Sequence, residues 1–155
     1  MGANTYGLEQ VIQSYVSANI NVALAGGAAN AYKTVNIGAI KDYTDVWPAL
    51  EIVAGAGITK RHAVGGKIWD MDELVLRSIV DETNSQYSEQ NINLSRDALT
   101  GLWHATARLN ATIGVVDSRL QPDEKWGYVF QNGQWWRIHE CHLHCTYEYL
   151  VVITP

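Results

Sequence analysis

The dipeptide Asn132-Gly133 stands between two apolar-rich runs, WGYVFQ and QWWRIH. A two-residue hairpin loop that matches the twist of its strands needs positive φ at both positions, and Asn-Gly takes it at little steric cost. The pair therefore commits this part of the chain to an antiparallel hairpin. Its second strand is expected from about residue 134 to 153, long enough for a bend or bulge. A chain that contains such a hairpin has to build a sheet, and the sheet has to bury a face.

Residues 8–24 supply cover for that face as an amphipathic helix. Leu8, Val11, Ile12, Tyr15, Val16 and Ile20 recur at helical spacing, with Gln10, Gln13, Ser14, Ser17 and Asn21 opposite. Gly26-Gly27 ends the helix. A β region follows, in which Val35, Ile37 and Ala39 alternate, and Trp47-Pro48 opens a second strand, ALEIVAGAG. Residues 58–66 are expected to form a turn or loop hinged at Gly65-Gly66. Residues 67–83 form a longer strand, with Ile68, Leu74, Leu76 and Val80 on one face and Trp69, Val75 and Ile79 on the other. Apolar residues on both faces make it central. NSQYSEQNIN is expected to be a polar loop, and Ser95 an N-cap with Asp97 in the first turn. A second helix then spans Arg96 to Ile113, with Leu99, Leu102, Trp103, Thr106, Leu109 and Ile113 in its stripe and Gly114 at its end. A loop through Gln121-Pro122-Asp123 leads into the hairpin. The order is α-β-β-β-α-β-β in a single domain over residues 1–155. That order predicts an α+β fold, one twisted and mostly antiparallel sheet with two helices on one face.

Charge narrows the function classes. Only 17% of the 155 residues are charged, and the formal net charge is −5. About 25% charged is usual, so this composition suits a subunit that buries its faces on partners. A pI near 5.4 argues against a dedicated nucleic-acid binder, which needs a basic footprint. The apolar runs fall short of the roughly 18 residues of a membrane span, so no membrane association is expected. The start, MGANTYGLEQ, has neither a basic nor an apolar signal region, and Tyr6 stands where myristoylation needs Ser or Thr. Two cysteines are too few for a disulfide scaffold, so synthesis in a reducing cytoplasm is expected. Residues 69–97 carry two basic and seven acidic side chains, a net of −5, against +1 for 1–68 and −1 for 98–155. The acidic residues are Asp70, Asp72, Glu73, Asp81, Glu82, Glu89 and Asp97. They form either a solvated strand end and loop or a surface that repels a polyanion and steers a basic partner.

Three groupings could carry chemistry. HECHLHC, residues 139–145, holds both cysteines and three histidines. On a strand, His139, Cys141, Leu143 and Cys145 share one face and Glu140, His142 and His144 the other. Cys141 and Cys145 then lie roughly 13 Å apart, too far to share a metal or a disulfide. Each face offers at most a two-ligand pair, with further ligands left to His62, His104 or another subunit. The segment is read as ordinary strand, and no metal or cofactor is expected. The aromatic residues come second. Trp126, Tyr128, Trp136 and Tyr147 could form a stacking platform for sugars or bases, or fill the core and a subunit interface. Trp135 and Trp136 are adjacent, so they point to opposite faces of their strand. Third, GxSxG, GxxxxGK[ST] and HExxH are all missing, and no catalytic residue is expected. Asp70 and Asp72 could hold a hard cation, though two carboxylates at a strand start are ordinarily just solvated.

The succession LEQVIQSYVSANI, VNIGAI, WPALEIVAG, ELVLRSIV, DALTGLWHATARL and the hairpin ending in TYEYLVVITP resembles the tail terminator (tail completion) proteins of long-tailed bacteriophages. The resemblance lies in order and size over nearly the whole chain. The HECHLHC strand and the Trp content stand outside it. It implies a hexameric ring on the tail tube that stops tube polymerisation and meets a head–tail connector or stopper protein. DNA would pass through the lumen without specific binding, in keeping with an acidic chain. The location implied is the virion neck, after assembly in the host cytoplasm. A head-to-tail ring buries two different patches per subunit. Asp70, Asp72, Glu73, Trp135, Trp136, Tyr147 and Tyr149 are the contact residues expected for it. Another neck or head–tail joining protein, an aromatic-rich module for carbohydrate or peptide, and a zinc-stabilised domain or metal enzyme around residues 139–145 are the alternatives.

Overall fold

The computed structural model describes residues 5–23, 32–55, 60–64, 67–83, 85–104 and 115–149. Helix α1 spans Thr5–Ala23, and strands β1 (Thr34–Ile37), β2 (Ala49–Ala54), β3 (Lys60–Val64) and β4 (Lys67–Asp81) follow. Helix α2 is Ser85–His104, then come β5 (Val115–Gln131) and β6 (Gln134–Tyr149). The strands join in one sheet ordered β1-β2-β4-β6-β5, with β3 paired to β4 beside that path. Among the described residues only β1–β2 is parallel. The fold is α+β with both helices on one side, and its five main strands follow the predicted order.

One face of the sheet and the two helices share the larger core. Ile12, Val16 and Ile20 of α1 meet Leu50 and Ile52 of β2, Leu74 and Leu76 of β4, and Leu143 of β6, with Leu99, Leu102 and Trp103 of α2. Each fully buried side chain of this kind contributes roughly 1.5–3 kcal/mol. Tyr15 ties the helices together, its hydroxyl donating to the Leu102 carbonyl at 3.0 Å and its ring set edge-on to Trp103 at 5.5 Å. A smaller cluster sits on the opposite face, where Tyr43, Ile79 and Trp136 pack with Ile40, Trp47, Val129 and Ile138. Central β4, flanked by β2 and β6, thus feeds both clusters, as its two apolar faces predict.

The turn behaves as its residues require. Asn132 has φ 53° and Gly133 φ 75°, so both central positions are left-handed.

Four expectations give way. From Ser85 on, the expected loop NSQYSEQNIN is the first half of α2, and Ser95 is a buried mid-helix residue instead of an N-cap. The buried positions Ser88, Ile92, Ser95, Leu99 and Trp103 do keep helical spacing, but two of them are serine and hide the stripe from a hydrophobic pattern. Part of the expected loop 58–66 is β3, which pairs with β4 from Lys60↔Met71 to Val64↔Lys67. Gln121-Pro122-Asp123 does not separate two elements. It lies inside β5, where the register to β6 shifts between Leu120 and Glu124. Pro122 lacks an N–H, and an edge strand with a bulge accommodates it. The irregularity expected in the final strand therefore falls on its partner. Gly26-Gly27, Gly57, Gly65-Gly66, residues 105–114 with the end of the second helix, and the strand end beyond Tyr149 lie outside the described residues.

Candidate functional site

The outer end of the β5–β6 hairpin carries a row of aromatic rings. Register places Trp126 opposite His139, Tyr128 opposite Arg137 and Phe130 opposite Trp135. The pairs touch: the Phe130 and Trp135 rings are 5.2 Å apart, and Trp126 lies 4.5 Å from the His139 ring. The Arg137 guanidinium sits 4.7 Å from the Tyr128 ring and 5.6 Å from that of Trp126. Trp126 is 38% exposed, Tyr128 54%, Phe130 58% and Trp135 55%. Three of these open aromatic side chains are on edge strand β5 and Trp135 is on its neighbour β6, and exposed patches of this kind mark interaction sites.

Behind the row lies a polar chain that runs from buried His139 out to the surface. His139 is 1% exposed, and its Nε2 is 3.2 Å from Glu124 Oε1. Glu124 in turn accepts from Arg96 Nε of α2 at 2.7 Å, and Arg96 also pairs with Asp97 at 2.9 Å. The Arg96 hydrogen bond holds the Glu124 carboxyl below its ordinary range. Burial pushes the His139 imidazole down from 6.5, against the pull of Glu124. With Nε2–H donating to the carboxylate, Nδ1 is the bare nitrogen, and it is buried without a partner. The folded state therefore binds fewer protons here than the unfolded chain. Stability is complete above about pH 6.5 and falls as acid protonates the unfolded state. Melting wild type and His139→Gln at pH 7.5 and pH 5.5 is expected to show the larger drop in wild type. Equal drops would count against a buried neutral imidazole.

Cys141 and Cys145, also on the helix-facing side, are free and buried. Burial pushes the Cys141 thiol up to about 12, which keeps it protonated and a poor nucleophile. The other face of β6 presents Glu140, His142 and His144, as strand alternation predicts. Glu73 of β4 lies between the two histidines, with Oε1 2.9 Å from His142 Nδ1 and Oε2 3.0 Å from His144 Nε2. Gly55 lets β2 approach closely here: its N–H reaches the Glu73 carbonyl at 2.9 Å, and a Cβ would stand 3.0 Å from that oxygen. Each imidazole engages a different carboxylate oxygen. Among the described residues no group of three His, Cys, Asp or Glu is arranged to hold a metal ion.

The expected contact residues separate. Trp135 is exposed, whereas Trp136 is 1% exposed in the core beside Tyr43, so Trp136 is no surface contact. The adjacent pair splits because strand neighbours face opposite ways. Glu73 is occupied by its two histidines. Asp70 pairs in register with Tyr147, Asp72 with Cys145 and Ile68 with Tyr149, but the side chains of Asp70, Asp72, Tyr147 and Tyr149 lie outside the described set. Of the acidic stretch, Asp81 accepts from the Thr83 N–H and hydroxyl, and Glu82 from Ser88, so both serve the turn into α2. Phe130 is the surface residue the sequence reading missed; its spacing of two from Tyr128 and four from Trp126 was the signal. No protein-family model matches the chain, and comparison with curated proteins finds no match.

Proposed function

We propose that this chain is a ring-forming tail terminator of a long-tailed bacteriophage. In this role about six copies cap the tail tube, stop its polymerisation and join it to the head connector, with DNA passing through the lumen unbound. Its place is the virion neck, reached after assembly in the host cytoplasm. The observation that carries the reading is the open row of Trp126, Tyr128 and Phe130 on edge strand β5, with Trp135 of β6 beside Phe130. An unpaired, aromatic edge is an aggregation hazard unless another chain covers it. The succession of elements and the charged fraction of 17% also support a subunit that buries its faces.

The test is the native mass of the purified protein, alone and with tube protein. A mass near six chains is expected, or a monomer that becomes a ring on tube ends and halts tube growth. A monomer that never assembles and leaves tube length unchanged would overturn the proposal. The same four rings favour a second reading, a small module that binds carbohydrate or peptide. That reading predicts a monomer whose tryptophan fluorescence responds to such a ligand.

A further inference from the structure

Among the described residues, strand β5 is paired to β6 alone and forms one edge of the sheet. The register between them decides which backbone groups β5 leaves open. In a two-residue hairpin the residues flanking the turn exchange hydrogen bonds, and every second residue from there faces the partner strand. Gln131 pairs with Gln134, so Gln131, Val129 and Gly127 turn their backbone groups toward β6. The Gly127 carbonyl accordingly also accepts from Arg137 Nη1 of β6 at 3.2 Å. Phe130, Tyr128 and Trp126 turn theirs outward, and these are the three β5 residues whose rings stand open.

This strip of edge is uncharged. From Trp126 to Trp135 the chain holds no Asp, Glu, Lys or Arg, and Glu124 and Lys125 just before it are opposite in sign. Arg137, against the Trp126 and Tyr128 rings, is paired with Glu89. Edges that resist pairing carry charges, proline or a bulge. Here Pro122 and the register shift fall before Glu124, outside the strip. The far edge is different. Thr34 N–H and Gly38 N–H bond to β2 and its flank, which leaves Val35 and Ile37 facing outward. Both of their carbonyls are already taken: Gln13 Nε2 donates to Val35 at 2.9 Å, and Asn36 Nδ2 to Ile37 at 3.2 Å. The sheet thus has one edge capped by its own side chains and another left open.

We infer that an extended, uncharged segment of the tube protein adds to β5 as a further strand of this sheet. The inference rests on the terminator reading and names the element that meets the tube. In strand addition the main-chain groups of Trp126, Tyr128 and Phe130 supply affinity, and side chains alternating along the incoming segment supply selection. Those that fall beside the three rings have to be apolar or β-branched, because a charge there would lose its water with no counter-charge to meet it. A second copy of this chain fits less well. Its β1 is capped, and its β3 carries Lys60 and Arg61 among five residues, charges of the kind that keep an edge from pairing. Pairing β5 with β5 is a two-fold contact, which closes a dimer and cannot pass from subunit to subunit around a ring.

The test uses the full chain with tube protein. Hydrogen exchange at the Trp126, Tyr128 and Phe130 amides is expected to be fast in the free protein and to slow once tubes are capped. Gly127 and Val129, already bonded to β6, are expected to change little. A photoreactive benzophenone amino acid in place of Phe130 is expected to crosslink to tube protein. Tyr128→Lys/Phe130→Lys is expected to lose capping, read as tubes that keep growing, while its melting curve stays near that of wild type. Capped tubes on which the three amides still exchange fast, or capping unaffected by the lysine pair, overturn strand addition. Crosslinks between copies of this chain instead of to the tube protein overturn the tube as occupant. Both results leave the ring reading standing. A wild type that neither assembles nor caps overturns the ring reading and this contact with it.

Discussion

Replacing Trp136 by alanine is expected to cost about 3–5 kcal/mol, the range for emptying a large buried aromatic site. Trp136 is 1% exposed, meets the Tyr43 ring at 5.5 Å and donates from Nε1 to the Gln131 carbonyl at 3.2 Å. Its loss opens the smaller core and frees the segment carrying Ile40, Tyr43 and Trp47 from the sheet. For a chain of this length each kcal/mol moves the melting temperature by about 2–4 °C, so a fall of roughly 10 °C is expected. Trp135→Ala is expected to stay within about 0.5 kcal/mol of wild type, as substitutions away from the core do. Its effect belongs on assembly, because Trp135 is 55% exposed beside Phe130. Urea melts and native mass on the two variants separate the effects. Trp136→Ala with wild-type stability would contradict the placement of that ring in the core.

Arg77→Met is the second large effect. Arg77 lies between Glu51 of β2 and Glu140 of β6, directly opposite both in register. Its Nη1 is 3.3 Å from Glu51 Oε1, and its Nε donates to Glu140 Oε1 at 2.7 Å. Glu51 is fully buried and also accepts from the Tyr43 hydroxyl at 3.2 Å and the Ile40 N–H at 2.5 Å. Removing the cation leaves a buried carboxylate without its counter-charge, which costs about 3 kcal/mol or more. Arg77→Met/Glu51→Gln is expected to recover part of that loss, because the amide is neutral, its oxygen can still accept from the Ile40 N–H, and its NH2 can donate to the Tyr43 hydroxyl oxygen. Denaturation of the single and double variants decides it. A double variant less stable than the single would mean that the charge on Glu51 is not what Arg77 compensates.

Much of the fold was legible along the chain. Asn132-Gly133 announced its turn, because few other pairs tolerate positive φ at both positions. Helix α1 and central β4 showed in periodicity, since each buries apolar residues at regular spacing. Helix α2 was half hidden by Ser88 and Ser95, small side chains that suit a close helix–sheet contact and carry no hydrophobic signal. Strand β3 was hidden because KRHAV lacks an alternating apolar face, and backbone pairing with β4 holds it. At the surface, alternation alone says that Trp135 and Trp136 diverge. It does not say which of them reaches solvent.

Local sequence thus determined the elements whose cause is local: the hairpin turn, the first helix, the two-faced strand and the class of fold. Tertiary structure decided which of two neighbouring tryptophans is core, that Pro122 sits in a bulge, and that Glu51, Arg77 and Glu140 meet. Arg77 reaches partners 26 and 63 residues away along the chain. Turn and helix preferences act over a few residues. Burial and ion pairing depend on which strands lie side by side, and that neighbourhood exists only once the sheet has closed over its core.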